Sequence, residues 1–405
     1  MTKSNTWILY KFFILILMLA SFYLWVFWDL NANMFFWIVA FFVSLIFYVV
    51  FPNRYSMNGS NNIWFITLII SLLLTSLNMN IFGSISKIIP CLSAFFILHL
   101  KIERKEDLLD TVLFSIAIIF LISSIAWFFH LIGIDLPYYM LEYGNVGNSD
   151  EALYMFENHY LYLIDTGFMG GFSDSFIPRF RSVFIEPGYV GCLCSVILYV
   201  RQYKMDKMGW IYLITLILTF SLAGWLISVV GYFYSRIITS RHRMELLLAI
   251  LIFVITYTVV KNYNGGNNIV NVTIIERLEW DETTGAIAGY NRSSESVSQW
   301  FWKSFVNSSE VWFGAENPSD KLNWNDIDWK AYIIRYGIVG LMAYLLYLFY
   351  PIIYLRENKL RCIGLFLIYV MIFAQTSIVI HSFMYVIFFI LGMSHLKLNY
   401  YEKDN

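Results

Sequence analysis

Charge is what this chain has least of. Only 14% of its 405 residues are Asp, Glu, Lys or Arg, against about 25% in a soluble domain. The formal net charge is −1, so there is no basic surplus of the kind a nucleic-acid partner needs. The four cysteines (Cys91, Cys192, Cys194 and Cys362) all fall inside apolar runs, where they read as small buried hydrophobes and not as a disulfide framework. Cys192 and Cys194 are two apart, which is not the C-x-x-C spacing of a redox or zinc motif. The histidines (His99, His130, His159, His242, His381 and His395) are scattered without metal-ligand spacing. No metal and no cofactor are expected. P-loop, GxGxxG, HExxH and GxSxG motifs are all missing, and so is any inverted repeat of the transporter kind.

What the chain has instead is apolar sequence. Hydrophobic residues make up 59% of it and mean hydropathy is +0.63. A membrane span takes about 20 apolar residues. Candidate spans lie near 7–28, 34–51, 63–78, 82–100, 109–133, 182–200, 208–220, 223–238, 244–260, 331–353, 362–378 and 380–397. The expected fold class is therefore an all-α polytopic membrane protein of about twelve transmembrane helices. The first run has no small-residue cleavage site behind it and reads as a retained span. Residues 208–238 read as two short spans turning near Ser221–Gly224, because one long span would invert the charges that follow.

Orientation follows from the positive-inside rule. The connections assigned to the inner side hold 16 Lys and Arg, against 8 in the two long outer loops, so both termini are expected in the cytoplasm. The chain then divides into 1–133 (five spans), 134–181 (first outer loop), 182–260 (four spans), 261–330 (second outer loop) and 331–405 (three spans and a tail). Connections this long are usually functional or disordered. The second alternates aromatic and polar residues through Trp300–Phe305, and short amphipathic helices are expected there.

Charges at the entrance of a membrane helix are costly and mark candidate function. Arg179, Arg181 and Glu186 stand together, and Pro187 follows at the head of a span. Proline lacks an amide hydrogen and clashes one turn back, so the helix must start or bend there. Backbone freed at that depth is tolerated only beside protein or a water-filled cavity. An outward-open cavity follows, with cations for a phosphate and a carboxylate able to take a proton. A structural Glu–Arg ion pair is the competing reading. The second loop adds Arg277, Asn291 and Arg292, the last ahead of a helical-looking run from Ser293 to Phe305. A helix N-terminus favours a phosphate, and the arginine fork suits bidentate contact. Arg335 lies early in the tenth span, placed either to snorkel or to line the same cavity. The tryptophans of this loop, Trp280 to Trp329, could stack on sugars, but an interfacial aromatic belt explains most of them better. Tyr138, Tyr139 and Tyr143 share that ambiguity.

In this setting Arg181-Ser-Val-Phe-Ile-Glu-Pro-Gly-Tyr-Val-Gly191 resembles the arginine-then-Glu-Pro signature of Wzy-type O-antigen and capsule polymerases. Leu218–Gly224 resembles the Thr-x-Ser-Arg-x-Gly turn of that family. Asn291-Arg292 through Val311-Trp-Phe-Gly314 resembles its arginine, short helix and glycine turn, and Ala331–Gly340 its exit from the last outer loop. The resemblance spans about 179–345, in order. It departs at Leu222, where the family often has arginine. It departs again in spacing: eleven residues, not ten, separate Arg179 from Gly191 and Arg277 from Gly289.

The resemblance implies a metal-independent glycosyltransferase with a GT-C-like fold. Its donor would be a glycan on undecaprenyl pyrophosphate, and its acceptor one repeat unit on a second such lipid. It implies Glu186 as base, with Arg181 and Arg292 beside it in the catalytic group. Arg179, Arg277, Arg335, Asn291 and Tyr189 would contact substrate and pyrophosphate. A chain-length regulator is a candidate partner, besides the bilayer. Two alternatives stay open. An O-antigen ligase would use the same cavity, although residues 261–340 lack the histidine ligases carry there. A polysaccharide flippase would show more charge deep in its spans.

Overall fold

The computed structural model describes residues 3–27, 34–76, 81–134, 136–145, 152–166, 178–238, 243–266, 268, 271, 275–276, 279–281, 286–287, 294–322, 326–354, 358–377 and 379–398. These are mostly helical, and each candidate span of the sequence contains a helix. The helices are α1 (Lys3–Ser21), α2 (Met34–Val50), α3 (Gly59–Leu74), α4 (Ile81–Leu92), α5 (Ala94–His99), α6 (Ile102–Leu131), α7 (Pro187–Val200), α8 (Lys207–Leu218), α9 (Leu222–Ile238), α10 (Arg243–Asn262), α11 (Glu295–Lys303), α12 (Trp329–Ile353), α13 (Lys359–Gln375) and α14 (Phe383–Leu398). By length and composition, α6 and α12 are long and apolar enough to cross a membrane, and the other apolar helices are shorter.

Local chemistry sets the boundaries. Pro187 is the first residue of α7, where its fixed φ suits the helix and its missing amide costs nothing. The run 82–100 is two helices, because Pro90 sits inside the first and the chain breaks around Ser93. Between α8 and α9 Phe220 takes φ +46°, which ends one helix and reverses the chain into the next.

Asp206 caps α8 by accepting from the Gly209 amide at 2.9 Å and holds Arg201 at 2.7 and 2.6 Å. Burial alone would raise its pKa. The Gly209 amide and Arg201 outweigh that, and the pKa lies below the usual carboxylate value. A depressed carboxylate stabilises above its unfolded pKa, about 3.9, and that stability is lost as pH falls through the folded value. Asp206→Ala is expected to cost about 1 kcal/mol at neutral pH. It should also flatten the acid limb of thermal unfolding in detergent. An unchanged acid limb would remove Asp206 from this account.

The core is built around α14. Its residues Phe383–Leu391 are at most 1% exposed, as expected of a helix apolar all round. It packs against α1, α4, α5, α6, α7 and α13. Around it, α3 lies on α12, and α7 contacts both α8 and α9. The α7–α9 approach is glycine-dependent: a Cβ on Gly224 would come within 2.8 Å of the Gly191 carbonyl carbon. Ser195 seals the crossing by donating to the Gly224 carbonyl at 2.7 Å. The outer helices turn apolar faces outward. In α2, Trp37, Ala40, Ser44 and Phe47 are buried, whereas Phe35, Val39, Phe42, Ile46 and Val49 are exposed. In α6, Phe114, Ile118, Leu121, Ile125 and Phe128 form a second such stripe.

The described residues are mostly helical, as the all-α expectation has it, with one addition. The first long connection folds as a three-stranded antiparallel sheet, β1 (Tyr139–Asn145), β2 (Ala152–Asn158) and β3 (Leu163–Asp165), in that order. Tyr143 pairs with Tyr154, and Phe156 with Asp165. These segments carry the aromatic residues that favour strands. A second, two-residue pairing joins β4 (Trp280–Asp281) to β5 (Ala286–Ile287).

Candidate functional site

Residues 178–186 carry the site, and they are held from four sides. Leu163 of β3 donates to the Ser182 carbonyl at 2.9 Å. Leu24 pairs with Phe184 as an antiparallel bridge. The Ser182 hydroxyl donates to that of Ser123 on α6 at 2.8 Å. Phe180 donates its amide to the Leu218 carbonyl at the end of α8, at 3.1 Å. Ser182 itself has φ +54°, which turns the chain back toward α7. The side chains of Phe180, Val183, Phe184 and Ile185 are buried, so apolar packing fixes the path that the charged residues follow.

Arg181 is buried, only 6% exposed. One terminal nitrogen donates to the Ile185 carbonyl at 2.8 Å and the other to Asp165 Oδ2 at 3.0 Å. Its guanidinium stacks 5.1 Å over Phe156. Arg181 is thus an internal clip between the small sheet and the turn into α7. Its carboxylate partner is Asp165. Arg179 donates through Nε to the Thr219 carbonyl at 3.1 Å, which ties the segment to the α8–α9 turn. Glu186 is half-buried in the N-cap position of α7, with extended φ/ψ, and its side chain makes no capping bond. Tyr189, one turn on, is half-buried, 6.2 Å from the Phe22 ring.

A second group forms where the chain enters α12. Asp326 accepts from the Ser294 amide at 2.5 Å, holding the start of α11. Arg335 donates to the Asp326 carbonyl at 3.3 Å. Asp328 caps α12 through the Ala331 amide at 3.0 Å. Lys330 lies 3.6 Å from Asp328 and donates to Ser298 on α11 at 3.0 Å. All three of Asp326, Asp328 and Lys330 are buried. Two turns into α12 the helix breaks at Gly337, with φ 69° and ψ 177°. The turn after α11 docks there: Val339 donates to the Trp312 carbonyl at 3.1 Å, and Ala315 to the Ile334 carbonyl at 2.7 Å. Residues 294–336 share a small core of their own, including Val297, Phe301, Phe305 and Ile334.

Of the sequence candidates, Arg179, Arg181, Glu186 and Tyr189 lie along the segment that enters α7 and in its first turn. Arg335 belongs to the second group. Arg277, Asn291 and Arg292 lie outside the described residues. Asp165 was missed, and no local signal marks it, because its partner is sixteen residues away in sequence. Asp326, Asp328 and Lys330 were also missed. Their signal was there: an acidic residue three before Ala331, at the foot of an apolar run, is an N-cap signature. Among the described residues, no group of three or more His, Cys, Asp or Glu side chains could hold a metal ion. Chemically, the segment that leads into α7 offers one half-buried carboxylate, Glu186, with Arg179 and Arg181 in the same stretch of chain.

Asp165→Asn separates structure from chemistry. It leaves Arg181 buried without its countercharge, and breaking such a pair costs about 3–5 kcal/mol. A clear fall in thermal stability is expected, and Arg181→Lys should fall with it, since an ammonium cannot bridge both acceptors. Wild-type stability in Asp165→Asn would show that the clip is not structural.

Compared with known proteins, the chain matches no family profile, no curated protein and no solved structure.

Proposed function

We propose that this chain is a membrane-embedded glycosyltransferase that polymerises undecaprenyl-pyrophosphate-linked repeat units on the outer side of a bacterial cytoplasmic membrane. The observation that carries the proposal is the head of α7. There a half-buried Glu186, not used as a helix cap, stands next to Pro187, with Arg179 and Arg181 immediately upstream. The membrane part rests on the outward apolar stripes of α2 and α6, since contiguous exposed apolar surface of this extent marks a lipid or protein contact. A 17-residue helix such as α2 is about 25 Å long, close to the hydrocarbon thickness of about 30 Å. The twelve-span topology, with both termini inside, follows from the charge distribution.

In the proposed reaction the acceptor's terminal hydroxyl attacks the anomeric carbon of the donor. The new glycosidic C–O bond forms as the bond to pyrophosphate breaks, and the bonding pair leaves with undecaprenyl pyrophosphate. The hydroxyl proton passes to Glu186, and the anomeric configuration inverts. Arg179, with Arg277, Arg292 and Arg335 from the second loop and its exit, stabilises the charge developing on the leaving group. Asn291 and Tyr189 contact the substrate. Arg181, with two donors already committed to Ile185 and Asp165, positions Glu186. The reaction needs no metal or cofactor in this scheme, and a chain-length regulator would dock from outside.

The test is a gel of surface glycan and lipid-linked glycan from the source strain with and without the gene. Acceptors bearing single repeat units and no ladder support polymerisation. Long glycan held on the lipid carrier, with bare acceptors, would make the chain a ligase. Single units trapped at the cytoplasmic face would make it a flippase.

A further inference from the structure

A second concentration of charge lies far from Glu186. Trp127, near the end of α6, packs 5.6 Å from Phe180, which puts that end of α6 beside the site described above. The first turn of α6 is about 35 Å away along the helix axis. That turn reads Lys101-Ile-Glu-Arg-Lys105, with Lys101 in the N-cap position and no side-chain cap. Helix N-termini carry partial positive charge, and cations there are unfavourable. Here three of five residues are cations. Lys101 also donates its amide to the Arg54 carbonyl at 2.9 Å, which brings in a fourth.

Of the acids near this end, Asp107 and Glu106 are engaged with other partners, and Glu103 lies in the turn itself. Asp107 accepts from Lys11 at 2.6 Å and from the Trp7 indole, and reaches Arg104 only at 4.0 Å. Glu106 pairs with His395 at 2.6 Å. Arg54 and Arg104 lie 5.1 and 5.3 Å from the same Trp7 ring centroid. Burial, and then the Arg104 charge, hold the Arg54 pKa below its usual value.

Lys105 is an independent observation. It is 6% exposed, and its side chain makes no hydrogen bond or ion pair with any described residue. Helical side chains lean toward the N-terminus, so Lys105 reaches back over this same turn. Its charged neighbours are Lys397 and His99, both basic, and both ring nitrogens of His99 are already bonded, to Phe95 and Asn62. A buried ammonium surrounded by bases calls for an anion. Immediately beside Arg54, α2 ends in the exposed apolar residues Ile46, Val49 and Val50.

We propose that the first turn of α6, with Arg54, Arg104, Lys105 and Lys397, binds a phosphate group, that of an anionic phospholipid headgroup whose acyl chain lies along α2. Backbone amides at the helix start and the surrounding cations supply the recognition, and the apolar face of α2 supplies the wall. This site is separate from the Glu186 chemistry, and its occupant stabilises the bundle.

The experiment is thermal unfolding of the full chain in a neutral detergent, with phosphatidylglycerol, phosphatidylcholine or inorganic phosphate added. Phosphatidylglycerol is expected to raise Tm by on the order of 3 °C or more, and phosphatidylcholine to leave it unchanged. An equal rise with inorganic phosphate supports the site and assigns it to the free ion. The rise should be lost in Arg104→Gln/Lys105→Met and kept in Lys321→Gln, a charge control on the exposed surface of the second loop. If the double variant does not fold, Arg104→Gln alone should roughly halve the rise. No rise in the wild-type chain with any addition, or a rise kept in full by the folded charge-removed variants, overturns the proposal.

Discussion

On the proposed function, Glu186→Gln is expected to lower glycan polymerisation by about 10²–10⁴-fold, the contribution of one positioned base, while Tm stays close to that of wild type, because the amide keeps the side chain's shape and an acceptor oxygen. The separation is possible because Glu186 occupies the N-cap position without using its side chain to cap α7. Pro187 already supplies the start of the helix, so the amide form leaves the local backbone as it is. The loss is expected in kcat, with KM little changed, since proton transfer belongs to the transition state and not to ground-state binding. Glu186→Asp should recover part of the activity. The useful contrast is with Asp165→Asn, which should lose stability first and activity only through it. The measurement is chain extension by purified protein on lipid-linked repeat units, alongside the melting curve. A fully active, stable Glu186→Gln would withdraw the base assignment. An unstable one would return Glu186 to the fold.

Gly337→Ala is expected to destabilise the small core that residues 294–322 form against α12. The backbone at Gly337 has φ 69° and ψ 177°, a region open essentially to glycine, and holding another residue there costs about 1–3 kcal/mol. The added Cβ would also land 2.1 Å from the Trp312 carbonyl oxygen and 2.3 Å from its carbon. Both are backbone atoms, so no rotamer change relieves the clash, and overpacking of this kind costs a further 1–3 kcal/mol or so. The docked turn must therefore lift, taking with it the bonds from Val339 and Ala315. The expected result is a Tm several degrees lower and faster proteolysis within 305–322. Gly59→Ala is the control, since nothing lies within 4 Å of a Cβ there. A Gly337→Ala chain that melts like wild type would show that the turn does not depend on this break.

Helices were legible because apolar run length is a direct signal. Pro187 marked the start of α7 as surely as any residue in the chain. The aromatic residues that favour strands are present in Tyr139–Asn145 and Ala152–Asn158, but neither segment alternates apolar with polar, so period alone does not reveal the sheet. Neither the break at Gly337 nor the crossing at Gly191 and Gly224 could be read locally, since a glycine declares its use only when its neighbour in space is known. The same holds for Arg181. Its charge at a helix entrance pointed to the right place, but whether it faces a ligand or Asp165 depends on β3, which sequence distance hides. Asp328 was readable as a helix cap and was passed over in favour of the arginines.

The burial of Phe383–Leu391 in α14 has a consequence for how the molecule is made. The helix that α1, α4, α5, α6, α7 and α13 all surround is the last of the described helices to leave the ribosome. At about 5–20 residues per second, roughly 20–70 s separate the synthesis of α1 from that of α14. Through that interval its neighbours have no centre to close on. They must wait side by side, with lipid or one another filling the vacancy. Assembly is therefore a late, single event, and a chain cut short before Phe383 should yield no weakened form of the protein but a set of helices that quality control removes.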